Sequence, residues 1–394
     1  MPEIKSLTHH GLGRTEDGTL IPRTLPGEVV EEGRILTPSP HRVKPSCRHF
    51  KTCGGCTMQH ASDDFVAEWK TSIVTKALQA QGLETDMRPI QTSPPQSRRR
   101  AKLSGIRTKS GALVGFHRQA SDQIVAIPDC QILSPALKAT LPALEALTRL
   151  AASRKTEVDL TVTDSLGGPD ILVSKAKSLT RDLREAAARL VADHALARLV
   201  WNDEPIADTG TAHQQFGKAR VVPPPGAFLQ ATREGEAALL SATQEITAGA
   251  TRIADLFSGC GTFTLPLAET AEIHAVEAEA AMLKALDAGW RNTPGLKRVT
   301  TEPRDLFRRP LDAMEIRPFD AIVIDPPRAG AAAQTEEIAK AGPPVIAGLS
   351  CNPVTFARDA RRLTEGGYQL DWVQPIDQFR WSAHLELAAR FTRA

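Results

Sequence analysis

Cys351 is followed directly by Asn-Pro in the segment SCNPVTFARD (350–359), and the apolar stretch VIAGL precedes this segment. The apolar run predicts a strand, so the thiol is expected where that strand ends. A cysteine in such a position can fill a core, ligate a metal or act as a nucleophile. An activated thiol performs covalent catalysis by attacking electrophilic carbon. The local sequence leaves all three roles open.

Two carboxyl groups elsewhere in the chain are candidate partners for this thiol. Asp325 follows four apolar residues in FDAIVIDPPRAG, and the two prolines after it stiffen the loop. This acid either orients a planar substrate or caps the turn. Glu386 lies two residues after His384 in DQFRWSAHLELAARF, and the two side chains point the same way if HLELA is a strand. That arrangement would place one acid–base group beside the thiol.

A glycine-rich loop and two later acids predict a nucleotide site. In DLFSGCGTFTLPLA, Gly259 and Gly261 stand between a predicted strand and a predicted helix, where a ligand can approach the backbone N–H groups. Glu277 ends a later strand, where a carboxylate can accept hydrogen bonds from ribose hydroxyls, and Asp305 could lie near an adenine edge. Each acid alone fits a solvated loop equally well. Together, the glycine loop and the two acids favour a ligand that binds at the carboxyl ends of the strands.

Strands that alternate with helices from about Phe228 onward predict the sheet that positions these residues. Several of the strands are apolar on both faces, which is typical of a doubly wound, mostly parallel α/β sheet. Upstream, residues 88–200 mix strand-like and helix-like runs and predict an α/β or α+β domain. Residues 63–85 have helical spacing. Residues 4–35 alternate short apolar runs with glycine turns, which favours a small antiparallel β-unit.

The length and composition of the chain indicate a soluble protein of several domains. Its 394 residues suggest two or three domains, with 41% hydrophobic and 24% charged residues. No apolar run approaches the ~20 residues that span a bilayer, and MPEIKSLTHH lacks the apolar core of a signal peptide. We therefore expect a cytoplasmic protein without a membrane partner.

Positive charge is concentrated in the N-terminal half, although the net charge of the chain is only +2. Residues 87–121 contain eight Lys or Arg residues and no acid, and residues 33–62 also lack acids. This distribution predicts that a polyanion such as RNA docks on the N-terminal half. The alternative is a solvated basic surface without a partner.

Four cysteines outside the glycine loop have the composition of a metal site. Cys47, Cys53 and Cys56 lie in CRHFKTCGGC, and Cys130 lies in IPDC. Disulfides are disfavoured in a reducing cytoplasm, whereas four thiolates could hold zinc or an iron–sulfur cluster. Spacing alone slightly favours zinc. Cys260, inside the glycine loop, is expected to be a small packing residue.

The motifs SCNPVTFARD, DPPRAG, DLFSGCGTFTLPLA and the terminal D-x-F-x-x-S-x-H-x-E together resemble the RNA uracil-C5 methyltransferase family. The resemblance covers nearly the whole chain and implies S-adenosylmethionine as methyl donor on a Rossmann-like domain. Its chemistry accounts for the residue types. Carbon 5 of uracil is a poor nucleophile until a thiolate adds at carbon 6 to give an enolate. After methyl transfer, a base must remove the proton on carbon 5 before the thiol can leave.

By this resemblance, Cys351 is the nucleophile, Glu386 is the base, and Asp325 hydrogen-bonds the uracil ring. The positions that match cofactor contacts of the family are Gln230, Phe257, Thr262, Glu277, Asp305 and Asp325. The sequence departs from the family pattern at four places. The family usually has Asn where Thr232 and Thr262 stand, and Pro-x-Thr where Arg380 and Ser382 stand.

The N-terminal segments resemble the iron–sulfur branch of this family, which modifies 23S ribosomal RNA. C-x5-C-G-G-C with the distant Cys130 is similar to the 4Fe-4S ligand set of that branch, which reverses the preference for zinc. We expect this cluster to be structural or to dock RNA, because methyl transfer to uracil requires no electron transfer that would need a redox catalyst. The opening β-unit resembles a shortened TRAM domain. The predicted division is a TRAM-like barrel (1–44), a central cluster-bearing RNA-binding domain (45–215) and the methyltransferase domain (216–394).

The resulting expectation is an enzyme that forms 5-methyluridine in 23S ribosomal RNA. It would act as a monomer without an obligate protein partner, on looped or single-stranded RNA, because carbon 6 must leave the base stack to meet the thiol. Methylation of the T-loop uridine of transfer RNA is the alternative activity. A non-catalytic RNA-binding protein that retains a cofactor fold is the alternative class.

Overall fold

The computed structural model describes residues 1–393, and its first part is a small β-unit. A three-stranded antiparallel sheet is followed by a hairpin. The strands are β1 (Ile4–Leu7), β2 (Leu12–Thr15), β3 (Leu20–Pro22), β4 (Val29–Glu31) and β5 (Arg34–Thr37). Gly18 and Gly33 occupy turns with positive φ (86° and 78°), a conformation that glycine adopts without steric cost. The antiparallel unit agrees with the expectation, and its likeness to a TRAM barrel stays a prediction.

A seven-stranded sheet forms the centre of the second part. A helix and two short strands come first in the chain: α1 (Asp63–Gln79), β6 (Asp86–Met87) and β7 (Gln91–Thr92). The strands of the sheet follow: β8 (Arg100–Arg107), β9 (Ala112–His117), β10 (Ile124–Ala126), β11 (Val158–Ser165), β12 (Gly168–Ser174), β13 (Arg198–Trp201) and β14 (Glu204–Asp208). The strand order is β10-β9-β8-β11-β12-β13-β14. Three helices accompany the sheet: α2 (Pro135–Ala139), α3 (Leu141–Ala151) and α4 (Arg181–Asp193). Leu147 of α3 and Trp201 of β13 are fully buried in its core.

The C-terminal part is a doubly wound sheet. It follows the hairpin β15 (Gln214–Phe216) and β16 (Ala219–Val221). Its strands are β17 (Arg252–Leu256), β18 (Glu272–Glu277), β19 (Val299–Pro303), β20 (Ala321–Ile324), β21 (Val345–Ser350), β22 (Gln369–Asp377) and β23 (Glu386–Thr392). Its helices are α5 (Arg233–Ile246), α6 (Thr264–Leu267), α7 (Ala280–Arg291), α8 (Ala313–Ile316), α9 (Ala332–Ala341) and α10 (Pro353–Glu365). None of the helices within residues 1–393 has both the length and the apolarity to cross a membrane.

The strand order β19-β18-β17-β20-β21-β23-β22 confirms the Rossmann-like α/β fold. The first five strands are parallel, and β23 is inserted antiparallel between β21 and β22. The order reverses between β17 and β20, so a crevice opens there at the carboxyl ends of the strands. The helix predicted after the glycine loop, over the segment FTLPLAETA, is shorter than expected, because α6 spans Thr264–Leu267 only.

The helix predicted over residues 63–85 is α1, and it packs on the C-terminal sheet rather than on the central one. Val74 and Leu78 are buried in one core with Phe356 and Leu363 of α10. Strands β6 and β7 both pair in parallel with β22, one after the other along its free edge, which brings the C-terminal sheet to nine strands. The three-part domain division stays a prediction. In the structure, residues 63–92 share their core with the methyltransferase sheet because the apolar side of α1 covers α10.

A buried ion pair joins α1 to the loop between β22 and β23. Lys70 Nζ lies 2.6 Å from Asp377 Oδ1, and both side chains are buried. The same ammonium group donates to the carbonyl oxygens of Phe379 (3.2 Å) and His384 (2.8 Å). One cation therefore holds both ends of the loop that leads to Glu386.

Replacing Lys70 with methionine is expected to lower the free energy of unfolding by about 3–5 kcal/mol, because Asp377 is left as a buried, unpaired charge. Urea unfolding of the two proteins measures this difference. The control is Lys76→Met on the exposed side of the same helix, which should change stability by no more than about 0.5 kcal/mol. Equal effects of the two substitutions would show that the buried pair is not what stabilises the loop.

Candidate active site

Three of the predicted residues meet at the carboxyl edge of the C-terminal sheet. Asp325 follows β20 and Cys351 follows β21, and these neighbouring strands are parallel. Strand β23 runs antiparallel to β21, with Ser350 opposite Leu387. Continuing this register by one residue places Cys351 opposite Glu386. The inserted antiparallel strand therefore brings a residue from the end of the chain beside the thiol.

Burial raises the pKa of all three groups, and repulsion from neighbouring carboxylates adds to the rise for Cys351 and Glu386. Burial raises the pKa of the Cys351 thiol to about 11, the carboxylates of Glu386 and Asp325 add to the rise, and Arg328 opposes it. Burial also raises the pKa of Glu386 to about 8, with a further contribution from Asp325. The pKa of Asp325 rises to about 7 through burial. Glu386 therefore exchanges its proton close to neutral pH, which suits a general base.

Arg328 is a site residue that the sequence reasoning missed, although it lies within the quoted motif DPPRAG. Its Nη2 lies 3.0 Å from His384 Nδ1. Its carbonyl oxygen accepts hydrogen bonds from Asn352 Nδ2 (3.0 Å) and Thr355 Oγ1 (3.2 Å), which attach this loop to the start of α10. The guanidinium group opposes the rise in pKa of both Cys351 and Glu386. It is thus a nearby positive charge that favours the ionised forms of both groups.

His384 and Glu386 do not share a strand, the arrangement that would have pointed their side chains the same way. Strand β23 begins at Glu386, so His384 lies in the preceding loop. His384 is exposed, whereas Glu386 is buried with 4% of its surface accessible. The loop is fixed by Lys70 through the His384 carbonyl group, and this contact replaces strand geometry. Of His384 and Glu386, Glu386 is therefore the one buried beside the thiol.

Gln230 is connected to the same loop through Gln378, which the sequence reasoning also missed. Gln378 Nε2 donates to Gln230 Oε1 (2.6 Å), and Gln378 Oε1 accepts from the backbone N–H of Ala231 (2.7 Å). Gln378 also lies against Glu386 and opposes the rise in its pKa. Thr232, where the family usually has Asn, caps α5 by accepting from the N–H of Gly235 (2.9 Å). No local signal distinguishes Gln378, because its partners lie nearly 150 residues earlier.

The predicted nucleotide-binding residues lie along the neighbouring strands β17, β18 and β19. Glu277, at the end of β18, accepts hydrogen bonds from the N–H of Gly259 (3.1 Å) in the glycine loop and from the N–H of Glu279 (3.0 Å). Phe257, directly after β17, has φ of 63°. Thr262, in the glycine loop, is half-buried. These residues line the crevice on one side of β20.

Asp305 lies after β19, and its carboxylate accepts from the N–H of Phe307 (2.9 Å). It is exposed, so the hydrogen-bonding capacity of the carboxylate remains open to a ligand. Phe307 is 47% exposed, and its ring centroid lies 5.5 Å from that of Phe257. The exposed ring of Phe307 was not predicted. It adds an apolar aromatic face beside Asp305 that suits a purine ring.

The four cysteines of the predicted metal site line one cavity in the second part of the chain. Cys47, Cys53, Cys56 and Cys130 share its wall with apolar side chains such as Phe116. All are free thiols. Burial raises the pKa of Cys56 to about 12, and the other thiols contribute to this rise.

Within residues 1–393, no three or more His, Cys, Asp or Glu side chains converge closely enough to hold one metal ion. A single zinc ion needs four sulfurs about 2.3 Å from one point. The four thiols share one cavity, and the metal group that they would hold stays a prediction.

The C-terminal two thirds of the chain carry the sequence pattern of a known protein family. Residues 131–393, more than half of the chain, match the family model of tRNA (uracil-5-)-methyltransferase. The chain belongs to this family. Its members are S-adenosylmethionine-dependent RNA methyltransferases, so the protein is an enzyme of that class and RNA is its substrate.

Individual relatives of this methyltransferase cover nearly its whole length. A protein of Mesorhizobium japonicum named as an uncharacterized RNA methyltransferase is 43% identical over 389 residues, which cover 96% of this chain and 94% of that protein. The 23S rRNA (uracil(1939)-C(5))-methyltransferase RlmD of Erwinia tasmaniensis is 32% identical over 385 residues, which cover 91% of this chain and 84% of that protein.

The fold of this methyltransferase is also that of a solved structure. The tRNA (uracil-54, C5)-methyltransferase of Pyrococcus abyssi, in complex with S-adenosyl-L-homocysteine, superposes with a TM-score of 0.74. The match covers 100% of this chain and 99% of that chain at 21% identity. At this identity, the likeness establishes the shared fold.

Proposed function

We propose that this methyltransferase forms 5-methyluridine in 23S ribosomal RNA by covalent catalysis through Cys351. The observation that carries the proposal is that Cys351 directly follows β21, Glu386 begins the neighbouring antiparallel strand β23, and Asp325 directly follows the other neighbouring strand, β20. A nucleophile, a base and a hydrogen-bonding group for the uracil ring are the three groups that this reaction needs. All three lie at the sheet edge where such folds bind ligands.

The chain's own residues divide the reaction between them. Asp325 holds the uracil ring. Cys351 first releases its thiol proton to solvent; the thiolate Sγ then forms a bond to carbon 6, and the electron pair of the 5,6 double bond moves into an enolate, which makes carbon 5 nucleophilic. S-adenosylmethionine, when bound, supplies an electrophilic methyl group. Glu386 then takes the proton from carbon 5, the double bond re-forms, and the Cys351 thiolate leaves.

The residues proposed to hold S-adenosylmethionine surround the glycine loop. They are Gln230, Phe257, Thr262, Glu277, Asp305 and Asp325. Glu277 uses one lone pair of each carboxylate oxygen for a backbone N–H. The second lone pair of each oxygen stays available for a ribose hydroxyl. The backbone contacts therefore orient this carboxylate without saturating it.

The choice of 23S ribosomal RNA is supported by the relative from Erwinia tasmaniensis, whose name specifies that RNA, and by the cysteine set of the same branch. The second candidate is transfer RNA, which is named in the family description. Deleting the gene and analysing nucleosides of each RNA pool by mass spectrometry separates the two. We expect one 5-methyluridine to be lost from 23S ribosomal RNA and none from transfer RNA. The reverse would assign the enzyme to transfer RNA, and no loss from either pool would favour a non-catalytic protein.

We propose that Cys47, Cys53, Cys56 and Cys130 hold a 4Fe-4S cluster. The support is the common cavity that these thiols line, without converging on a single ion position. A structural or RNA-docking role is proposed for the cluster, because methyl transfer to uracil requires no electron transfer.

Anaerobically purified protein is expected to be brown and to contain iron but no zinc. Replacing Cys56 with alanine should remove most of the iron, because one of the four ligands is lost. The matched control is Cys260→Ala, a buried cysteine of the glycine loop outside the cavity, which should leave the iron content unchanged. Iron and zinc are measured by plasma mass spectrometry. A colourless protein with one zinc per chain would contradict the cluster.

We also propose that the enzyme works in the cytoplasm as a monomer. Residues 1–44 would act as a TRAM-like RNA-binding unit and residues 45–215 as a cluster-bearing RNA-binding unit. The support is the antiparallel β-unit at the start of the chain, the acid-free stretch over residues 33–62 and the six free thiols, which suit a reducing compartment.

A further inference from the structure

A second pocket lies between the cysteine cavity and the catalytic residues. Its wall includes Gly55, Arg98, Ile132, Gln378 and Phe379. Gly55 and Ile132 also line the cysteine cavity, so the two spaces share a wall. Gln378 is bonded to Gln230 and lies against Glu386 on the catalytic side. The pocket is therefore next to the place where the uracil ring would react.

Arg98 brings a positive charge into this pocket, and no Asp or Glu side chain among residues 1–393 forms an ion pair with it. Neighbouring arginines are paired: Arg99 with Glu236, and Arg380 with Asp63. Arg98 is half-buried, and its Nε donates to the carbonyl oxygen of Arg100 (3.1 Å). Within residues 1–393, its terminal nitrogens form no ion pair. A partly desolvated cation without a carboxylate partner is costly, so this geometry favours an anion in the pocket.

An aromatic side chain in the wall of the same pocket strengthens the case for a nucleotide. Phe379 is half-buried, with its ring centroid 5.7 Å from the Arg98 guanidinium carbon. Arginine beside aromatic surface is the combination that binds single-stranded RNA.

We propose that this pocket binds a nucleotide adjacent to the target uridine, with Arg98 taking its phosphate group and Phe379 contacting its ribose or base. The inference rests on the proposed function, since it assumes RNA with an unstacked uridine in the catalytic pocket. The thiols of Cys56 and Cys130 lie near Arg98. The Arg98 side chain nevertheless lines the pocket on the catalytic side and not the cysteine cavity, which places the anion on the RNA.

The test compares Arg98→Ala with Arg107→Ala, both made in a Cys351→Ala background so that binding is measured without chemistry. Arg107 lies in the same basic segment and is exposed, so its removal changes the net charge equally. The probe is fluorescein-labelled oligouridine of about 12 nucleotides, titrated at several KCl concentrations. Arg98→Ala should weaken binding about 10- to 100-fold and lower the slope of log K against log salt by about 0.7, as expected for one lost phosphate contact. Arg107→Ala should change affinity less than about threefold.

Two controls separate the outcomes. S-adenosylmethionine affinity and iron content should be the same in both variants. An unchanged salt slope in Arg98→Ala, or equal effects of the two variants, would overturn the proposal. Loss of iron from Arg98→Ala with an unchanged slope would also overturn it and assign Arg98 to the cysteine cavity. If the wild-type protein binds RNA through Arg98 but forms no 5-methyluridine, the proposed function fails while the pocket stands.

Discussion

Replacing Cys351 with alanine is expected to abolish methylation, with a loss in rate on the order of 10⁴ or more. The reason is chemical: without the bond from sulfur to carbon 6, carbon 5 of uracil does not become nucleophilic, and no other group at this edge can replace the thiolate. Cys351→Ser should be nearly as inactive, because a serine hydroxyl is far harder to ionise than a thiol. The measurement is transfer of a radiolabelled methyl group to unmodified 23S ribosomal RNA.

The matched control for this loss is Cys260→Ala, which removes a buried thiol that faces no reacting atom. This variant should retain activity within about tenfold. Both variants should bind S-adenosylmethionine with unchanged affinity, which shows that the fold is intact. If Cys351→Ala retained a substantial fraction of the wild-type rate, the covalent route would be wrong and methylation would have to proceed by direct transfer.

Replacing Glu386 with glutamine should allow the covalent adduct to form but prevent its release. Glutamine keeps the shape of the side chain and cannot accept the carbon 5 proton, so multiple-turnover activity should fall about 10²- to 10⁴-fold. In a single turnover, methylated RNA should remain attached to the protein and migrate with it under denaturing conditions. The wild-type protein should release its RNA in the same assay.

The pH dependence of release follows from the raised pKa of Glu386. The base acts in its ionised form, and burial raises the pKa of Glu386 to about 8. The release rate should therefore fall about tenfold for each pH unit below 8 and level off above it. In Glu386→Gln, this dependence should disappear. A wild-type release rate that is constant from pH 6 to pH 8 would show that Glu386 does not take the proton.

Several predicted site residues lie at the ends of strands, where the sequence predicts them, and their functional roles stay predictions. In a parallel sheet, every carboxyl end lies at one edge, so correct strand assignments were enough to bring Asp325 and Cys351 together. The same local reasoning puts Glu277 and Asp305 at the ends of β18 and β19, whereas Phe257 was predicted only from the family resemblance.

What could not be predicted depends on contacts between distant segments. The position of Glu386 opposite Cys351 requires the antiparallel insertion of β23, which no periodicity reveals. Gln378 meets Gln230 across nearly 150 residues, and Lys70 reaches Asp377 across about 300. The packing of α1 on α10 likewise follows from complementary apolar faces that only the folded chain brings together.

Peptide mapping of the protein after incubation with RNA that contains 5-fluorouridine, in the presence of S-adenosylmethionine, tests the central claim most directly. Fluorine at carbon 5 leaves no proton for Glu386 to remove, so the adduct is trapped. The account predicts one modified peptide, the one that contains Cys351, carrying a methylated fluorouridine nucleotide. A nucleotide attached to another cysteine, or no attached nucleotide under conditions in which ordinary RNA is methylated, would contradict the account.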